Sequence, residues 1–283
     1  MTDGANSTVH GPRRGEAQLK VVAVALPLFA VIAIPFVVTS GVEAPRETGA
    51  TPVIESTHTT PYINEDIELV TDTAPALHEP RINTDLNQIS YINLGTGEHV
   101  ATASERFARP ALSLAKLYIA DYVLDNGTES EKATAMEMIQ DSSDAQAGVL
   151  FSKYPKAIFA TAEKYNLEST ISYGKWGYSY TSTFDVVRFV STLLREDPQS
   201  PILSAMDHAS ATAEDGTIQD FGTAQLSGVV GTKWGWSDDG TLHSSVSYGV
   251  DGDGNYYVAA AMIQGSEDEL SEYALAQLGK QVD

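Results

Sequence analysis

The sequence predicts an α+β domain, one mostly antiparallel sheet of about five strands with helices packed on it, behind an N-terminal apolar segment. Three observations lead there. A strand-hairpin pattern spans Gln88 to Ala101. A block of helix patterns fills residues 109–196. Three strand-like runs and one more helix follow, joined by turns rich in Gly, Asp and Asn.

Residues 1–20 are polar and carry Arg13, Arg14 and Lys20. Val21 to Val38 has no charge and contains Pro27 and Pro35. At ~1.5 Å per residue that run approaches the ~30 Å hydrocarbon core of a bilayer, where prolines are tolerated. Residues 21–40 are therefore expected to be a single-pass anchor. The basic residues before the run predict a cytoplasmic tail over 1–20 and an extracytoplasmic remainder. A cleaved signal segment, leaving a secreted chain, is the alternative. Val42-Glu43-Ala44 followed by Pro45 is a poor cleavage site. Residues 41–80 contain Pro45, Pro52, Pro61, Pro80 and many threonines without a sustained period, as in a linker. Val53-Ile54 and Ile67 to Val70 are the parts of it suited to docking.

The folded domain is expected over 81–283. Gln88 to Leu94 and Glu98 to Ala101 read as strands around the turn Gly95-Thr96-Gly97. A helix is expected from Pro110, a residue that suits a first helical turn, to a stop at Asp125-Asn126-Gly127. Leu112, Ala115, Ile119 and Val123 give it an apolar face. Further helices are expected over Glu129–Gln140, Asp144–Ser152 and Lys156–Tyr165. Another runs over Asp185–Arg195, with Thr183 as its cap. In that last helix Val186, Phe189, Val190, Leu193 and Leu194 form a core stripe. Val229–Trp236, His243–Val250 and Tyr256–Ile263 read as strands, and Ser266 with Glu269 as a capping box for a helix over Glu267–Leu278.

Composition narrows the function. Seventeen basic residues against 38 acidic ones leave a net charge of −21, so no basic surface exists to neutralise phosphates, and nucleic acid is excluded as a partner. With no cysteine, disulfides and thiolate metal sites are excluded. The six histidines lack metal-ligand spacing. Asp251-Gly-Asp-Gly-Asn255 reads as an acidic hairpin turn, since Tyr256 and Met262 stand where a calcium loop needs Gly and Glu. No metal or cofactor is expected.

Ser113 and Lys116 lie one helical turn apart and project from one face. An amine beside a hydroxyl can take its proton, without which serine is a poor nucleophile. Two later stretches complete a pattern: Met138-Ile139-Gln140-Asp141-Ser142-Ser143-Asp144 at a helix junction, and Gly231-Thr232-Lys233-Trp234-Gly235-Trp236 on a strand. Together they resemble the Ser-x-x-Lys, Ser-Asp-Asn and Lys-Thr-Gly signatures of the serine β-lactamase and penicillin-binding-protein superfamily. The chain looks most like the exported actinobacterial serine hydrolases related to class A β-lactamases. Trp176 to Thr183 and Gln219-Asp220-Phe221-Gly222 add to the likeness, which covers residues 85–283.

The resemblance implies a β-lactamase/transpeptidase-like fold and a set of roles. Ser113 would be the nucleophile and Lys116 its proton acceptor. Ser142 would bridge Lys116 and Lys233 and protonate the leaving group. Lys233, with Thr232, Trp234 and Gly235 beside it, would face the substrate carboxylate. The N–H groups of Ser113 and Trp236 would form the oxyanion hole. The implied substrate is a cell-wall D-alanyl peptide, a β-lactam-like molecule or a related amide or ester.

Departures from the family pattern qualify this. Asp144 stands where the family has an amide that binds the substrate, and reading the motif as Ser143-Asp144-Ala145 loses the amide as well. Trp234 replaces a hydroxyl. No Glu-x-x-Leu-Asn segment lies between residues 145 and 185, and Glu168 is the only carboxylate of that loop. The interval from Ser113 to Ser142 is short. Weak or no β-lactamase activity is therefore expected, and a degenerate relative that binds wall fragments or a protein partner is the alternative. Ser142 as a plain helix N-cap, Lys233 as a solvated strand lysine and His243 as a packed strand residue are the structural alternatives for those positions. Trp234 and Trp236 share one strand face, as core packing or as a cleft wall. Sequence does not indicate the oligomeric state.

Overall fold

The computed structural model describes residues 60–67 and 80–283. The expected tail 1–20, the anchor or signal segment 21–40 and most of the linker 41–80 lie outside the described residues. Among the described residues no helix is long and apolar enough to cross a membrane.

Strands β1 (Gln88–Asn93) and β2 (His99–Ala101) form the expected hairpin, with Ser90 opposite Ala101. The following chain makes the short strand β3 (Arg109–Pro110) and a 3-10 turn, Leu112–Leu114, before α1 (Ala115–Asn126). Pro110 is thus not a helix-starting residue. It pairs with Tyr180, and the helix begins five residues later. Leu112 has φ of 51°, a left-handed conformation that costs an L-residue ~1–2 kcal/mol.

Helix α2 (Glu129–Asp141) starts at a capping box of Thr128 and Glu131, and α3 (Asp144–Lys153) at the Ser143 hydroxyl, which accepts from the Gln146 N–H. Helix α4 (Ala157–Lys164) leads to β4 (Tyr180–Thr181), the partner of β3. Helix α5 (Thr183–Glu196) is capped by Ser182, one residue before the expected Thr183, and its Val186–Leu194 stripe is buried. Helix α6 (Pro201–Asp207), with Pro201 at its start, has no counterpart in the sequence-based reading.

Strands β5 (Val229–Trp236), β6 (Leu242–Val250) and β7 (Tyr256–Gln264) and helix α7 (Glu267–Val282) complete the domain. The sheet has five strands in the order β2-β1-β7-β6-β5, and every neighbouring pair is antiparallel. Its two faces bury separate clusters. Ile92, Val246, Val258, Ala260 and Met262 pack with α1 to α6, whereas Ile89, Tyr91, Ala259, Ala261 and Trp234 pack with Leu270, Ala274 and Leu278 of α7. Alternating strand side chains feed the two layers.

Part of the linker is held against this domain. The Tyr62 N–H donates to the Gly254 carbonyl and the Tyr256 N–H to the Tyr62 carbonyl, at 2.9 and 3.0 Å. Arg195 Nη1 donates to the Ile67 carbonyl.

Candidate active site

Helix α1 is buried on nearly all sides, and its first turn carries Lys116 among Ala115, Leu117 and Tyr118. The Lys116 amine has no solvent contact and four oxygens around it. It donates to Ser113 Oγ at 2.8 Å, to the Ser142 carbonyl at 2.5 Å and to Asp144 Oδ1 at 2.6 Å, with Ser142 Oγ at 3.3 Å. Ser113 sits in the 3-10 turn just before α1, 8% exposed.

Ser142 ends α2 with φ of 57° and ψ of 30°. The neighbouring Ser143, not Ser142, caps α3. The left-handed bend gives Ser142 a second role: its carbonyl and hydroxyl both accept hydrogen bonds from lysines. Lys233 Nζ donates to Ser142 Oγ at 2.7 Å. One hydroxyl therefore lies between two buried amines, in the bridging position that the resemblance implies. Lys233, in the middle of β5, is fully buried and not a solvated strand lysine.

Burial shifts both lysines toward neutrality. The pKa of Lys116 is lowered by desolvation, against the opposing pull of Asp144. Lys233 is lowered well below the ordinary lysine value, by complete burial first and by the charge of Lys116 second. Among the described residues no carboxylate hydrogen bonds to Lys233.

The other predicted positions divide. Gly235 lies where β5 passes Ser113, and a Cβ there would come within 2.9 Å of the Ser113 amide nitrogen and of Leu112 Cβ. Only glycine allows this approach. Asp144 opens α3 with a side chain 69% exposed and joined to Lys116. Thr232 and Trp234 face away from Lys233. The Thr232 hydroxyl is 2.7 Å from Ser247 Oγ, in a buried network with Thr223 and Ser245. The Trp234 indole donates to the Phe221 carbonyl at 2.8 Å and belongs to the core under α7. Neither side chain is placed to touch a ligand at Ser113, because strand alternation sends 232 and 234 to the face opposite 233. The Trp236 ring packs on Phe221 and donates to Asp215 Oδ2 at 2.9 Å, so its side chain serves packing. His243 packs edge-on against Phe221, with Nδ1 2.7 Å from the Gly265 carbonyl.

Sequence reasoning did not single out Trp176 as a site residue. Its ring lies 5.0 Å from the Lys116 amine, in the 3-10 turn Trp176–Tyr178. The signal available was the stretch Trp176 to Thr183, which adds to the family likeness without marking Trp176 itself as a site residue. Glu168 accepts from Arg106 Nη1 at 2.7 Å, and its loop is tied to fully buried Asp185 through the Glu168 N–H, the Ser169 N–H and the Thr170 hydroxyl.

Solved structures share this architecture. The structure of PBP-A matches with a TM-score of 0.56 at 16% identity, over 69% of this chain and 89% of that one. A D-alanyl-D-alanine carboxypeptidase from Mycobacterium tuberculosis H37Rv matches at 0.53 and 16%, over 75% and 97%. A β-lactamase from Streptomyces albus G matches at 0.55 and 14%, over 70% and 94%. No protein-family model matches the sequence, and no curated protein does.

Proposed function

From the premise that the chain has the fold of the serine β-lactamase and penicillin-binding-protein superfamily, we propose that it is a serine acyl-transfer hydrolase of amides or esters. The observation that carries this reading is the 2.8 Å hydrogen bond between the buried Lys116 amine and Ser113 Oγ. In the proposed reaction Ser113 Oγ attacks the substrate carbonyl carbon, and its proton passes to neutral Lys116. The oxyanion is met by the Ser113 N–H, with the Trp236 N–H as second donor. When the tetrahedral intermediate collapses, the bond to the leaving oxygen or nitrogen breaks. That atom takes the Ser142 hydroxyl proton, which Lys116 replaces with the proton it took from Ser113. Water then cleaves the acyl-enzyme and regenerates Ser113.

The likeness to a D-alanyl-D-alanine carboxypeptidase supports a D-alanyl substrate class. The uncharged Val21–Val38 run behind basic residues supports an extracytoplasmic domain on an N-terminal anchor or behind a signal segment. With Glu168 engaged by Arg106, no carboxylate of that loop is free to activate the deacylating water, which supports weak β-lactamase activity.

Intact-mass spectrometry tests the reading. A neutral fluorophosphonate should leave one adduct, lost in Ser113→Ala. Absence of that adduct overturns it.

One observation favours the second reading, a binding protein without turnover. The Asp144 carboxylate holds Lys116 in an ion pair at 2.6 Å, which opposes proton acceptance. If Asp144→Asn acquires a Ser113 adduct that the wild type lacks, the second reading stands.

A further inference from the structure

The surroundings of Ser113 are unsuited to a negatively charged substrate. The groups that flank Lys233 on β5 point to the other face: the Thr232 hydroxyl is bound to Ser247 and the Trp234 indole to the Phe221 carbonyl. Lys233 itself has no solvent exposure and donates to Ser142. Lys175, next to Trp176, holds its ammonium over the Tyr178 ring, 5.6 Å from its centroid. A substrate carboxylate therefore finds no exposed hydroxyl or cation on the strand beside the nucleophile.

A positive group finds the opposite. Asp144 binds Lys116 through Oδ1 alone, and most of its side chain is open to solvent. It lies two hydrogen bonds from Ser113 Oγ, through Lys116. The Trp176 ring stands at the same corner, with one face 5.0 Å from the Lys116 amine. A carboxylate accepts hydrogen bonds and cannot donate them, so what Asp144 offers a substrate suits an ammonium. The net charge of −21 adds a field of the same sign.

We propose that the Ser113 site takes acyl donors that carry an ammonium close to the scissile carbonyl, such as aminoacyl esters or amides, and rejects donors with a free carboxylate there. Asp144 is the group that selects. The inference rests on the acyl-transfer reading and narrows its substrate: within the D-alanyl class it favours a D-alanyl ester or amide with a free amino group.

Three ethyl esters that differ in the charge and size of the group on nitrogen provide the test, with Asp144→Asn as the control that separates charge from size: D-alanine, N-acetyl-D-alanine and N-succinyl-D-alanine ethyl ester. Each competes with a neutral fluorophosphonate for Ser113 of the full chain, which reads preference whether or not the acyl-enzyme turns over. The ammonium ester should protect at about two- to fivefold lower concentration than the acetyl ester, as expected for a largely exposed charge pair, and the succinyl ester should be the weakest. Asp144→Asn should remove that advantage of the ammonium ester. Ratios within one variant cancel any change in Lys116 reactivity. Equal protection, or the reverse order, in a wild type that labels normally overturns the inference and leaves the acyl-transfer reading intact. Failure of Ser113 to label at all removes both.

Discussion

A Cβ placed on Gly235 would approach the Ser113 amide nitrogen to 2.9 Å, closer than real Cβ contacts come. The strand backbone and the turn that carries the nucleophile are thus in contact because residue 235 has no side chain. Gly235→Ala must push the two apart, because the atoms in the way, Ser244 Oγ, Leu112 Cβ and the Ser113 backbone nitrogen, include backbone, which cannot swing aside. Fluorophosphonate labelling of Ser113 should fall at least about tenfold. Overpacking of this kind costs ~1–3 kcal/mol, so urea unfolding should show a folded but weakened domain.

Ser142→Gly separates the hydroxyl from the backbone that presents it. Glycine adopts φ of 57° without strain. That offsets part of the cost of leaving the buried Lys233 amine unpaired, so the domain should stay folded with a modest loss of stability. The 2.7 Å partner of Lys233 disappears. Acylation by an amide or alkyl ester, whose leaving group takes the Ser142 proton, should slow by roughly 10²–10⁴-fold, the usual contribution of a positioned proton-transfer group. An unchanged rate would remove Ser142 from the proposed chemistry.

The pH profile of labelling follows from the lysines. Lys116 must be neutral to accept a proton, and burial lowers its pKa below the ordinary 10.5. The rate should rise with pH to a plateau, with its midpoint under that value. Asp144 raises the Lys116 pKa, so Asp144→Asn should move the midpoint to lower pH. A midpoint that moves upward contradicts the ion pair.

Asp185 makes a stability prediction. Complete burial raises its pKa from 3.8 to about 6, against the donors of Glu168, Ser169 and Thr170. The folded state therefore binds the proton more tightly than the unfolded state. Its contribution is fully present below about pH 4 and is lost as pH rises through about 6. The change is about 3 kcal/mol at ~1.4 kcal/mol per pKa unit. Urea titrations of wild type and Asp185→Asn should show wild-type stability falling relative to the variant between pH 4 and pH 6, as the sign of that pKa shift requires.

Strand and helix identities were legible because they rest on local periodicity. The five sheet strands and the α5 stripe appear close to where alternation and helical spacing put them. The misplaced features depend on contacts that sequence spacing does not encode. Pro110 satisfies a helix-start rule, yet it pairs across space with Tyr180. Thr183 and Ser182 are both adequate caps, and the turn before α5 decides between them. Trp234 stands at a motif position, but its indole completes the α7 core. Asp144 was read as a lost amide. Its ion pair with Lys116 requires the two to be neighbours in space, and they are 28 residues apart in sequence.

Sequence alone determined which residue types stand one turn apart on α1, at the α2–α3 junction and on β5, and that the domain mixes one antiparallel sheet with helices. Short-range hydrogen bonding and side-chain periodicity suffice for that. Only the tertiary structure decided which neighbours each amine acquires and which strand side chains turn toward it. Those outcomes depend on packing between segments far apart in the chain. Burial of two lysines around one hydroxyl, with one of them hydrogen-bonded to the exposed Asp144 carboxylate, is a property of that packing.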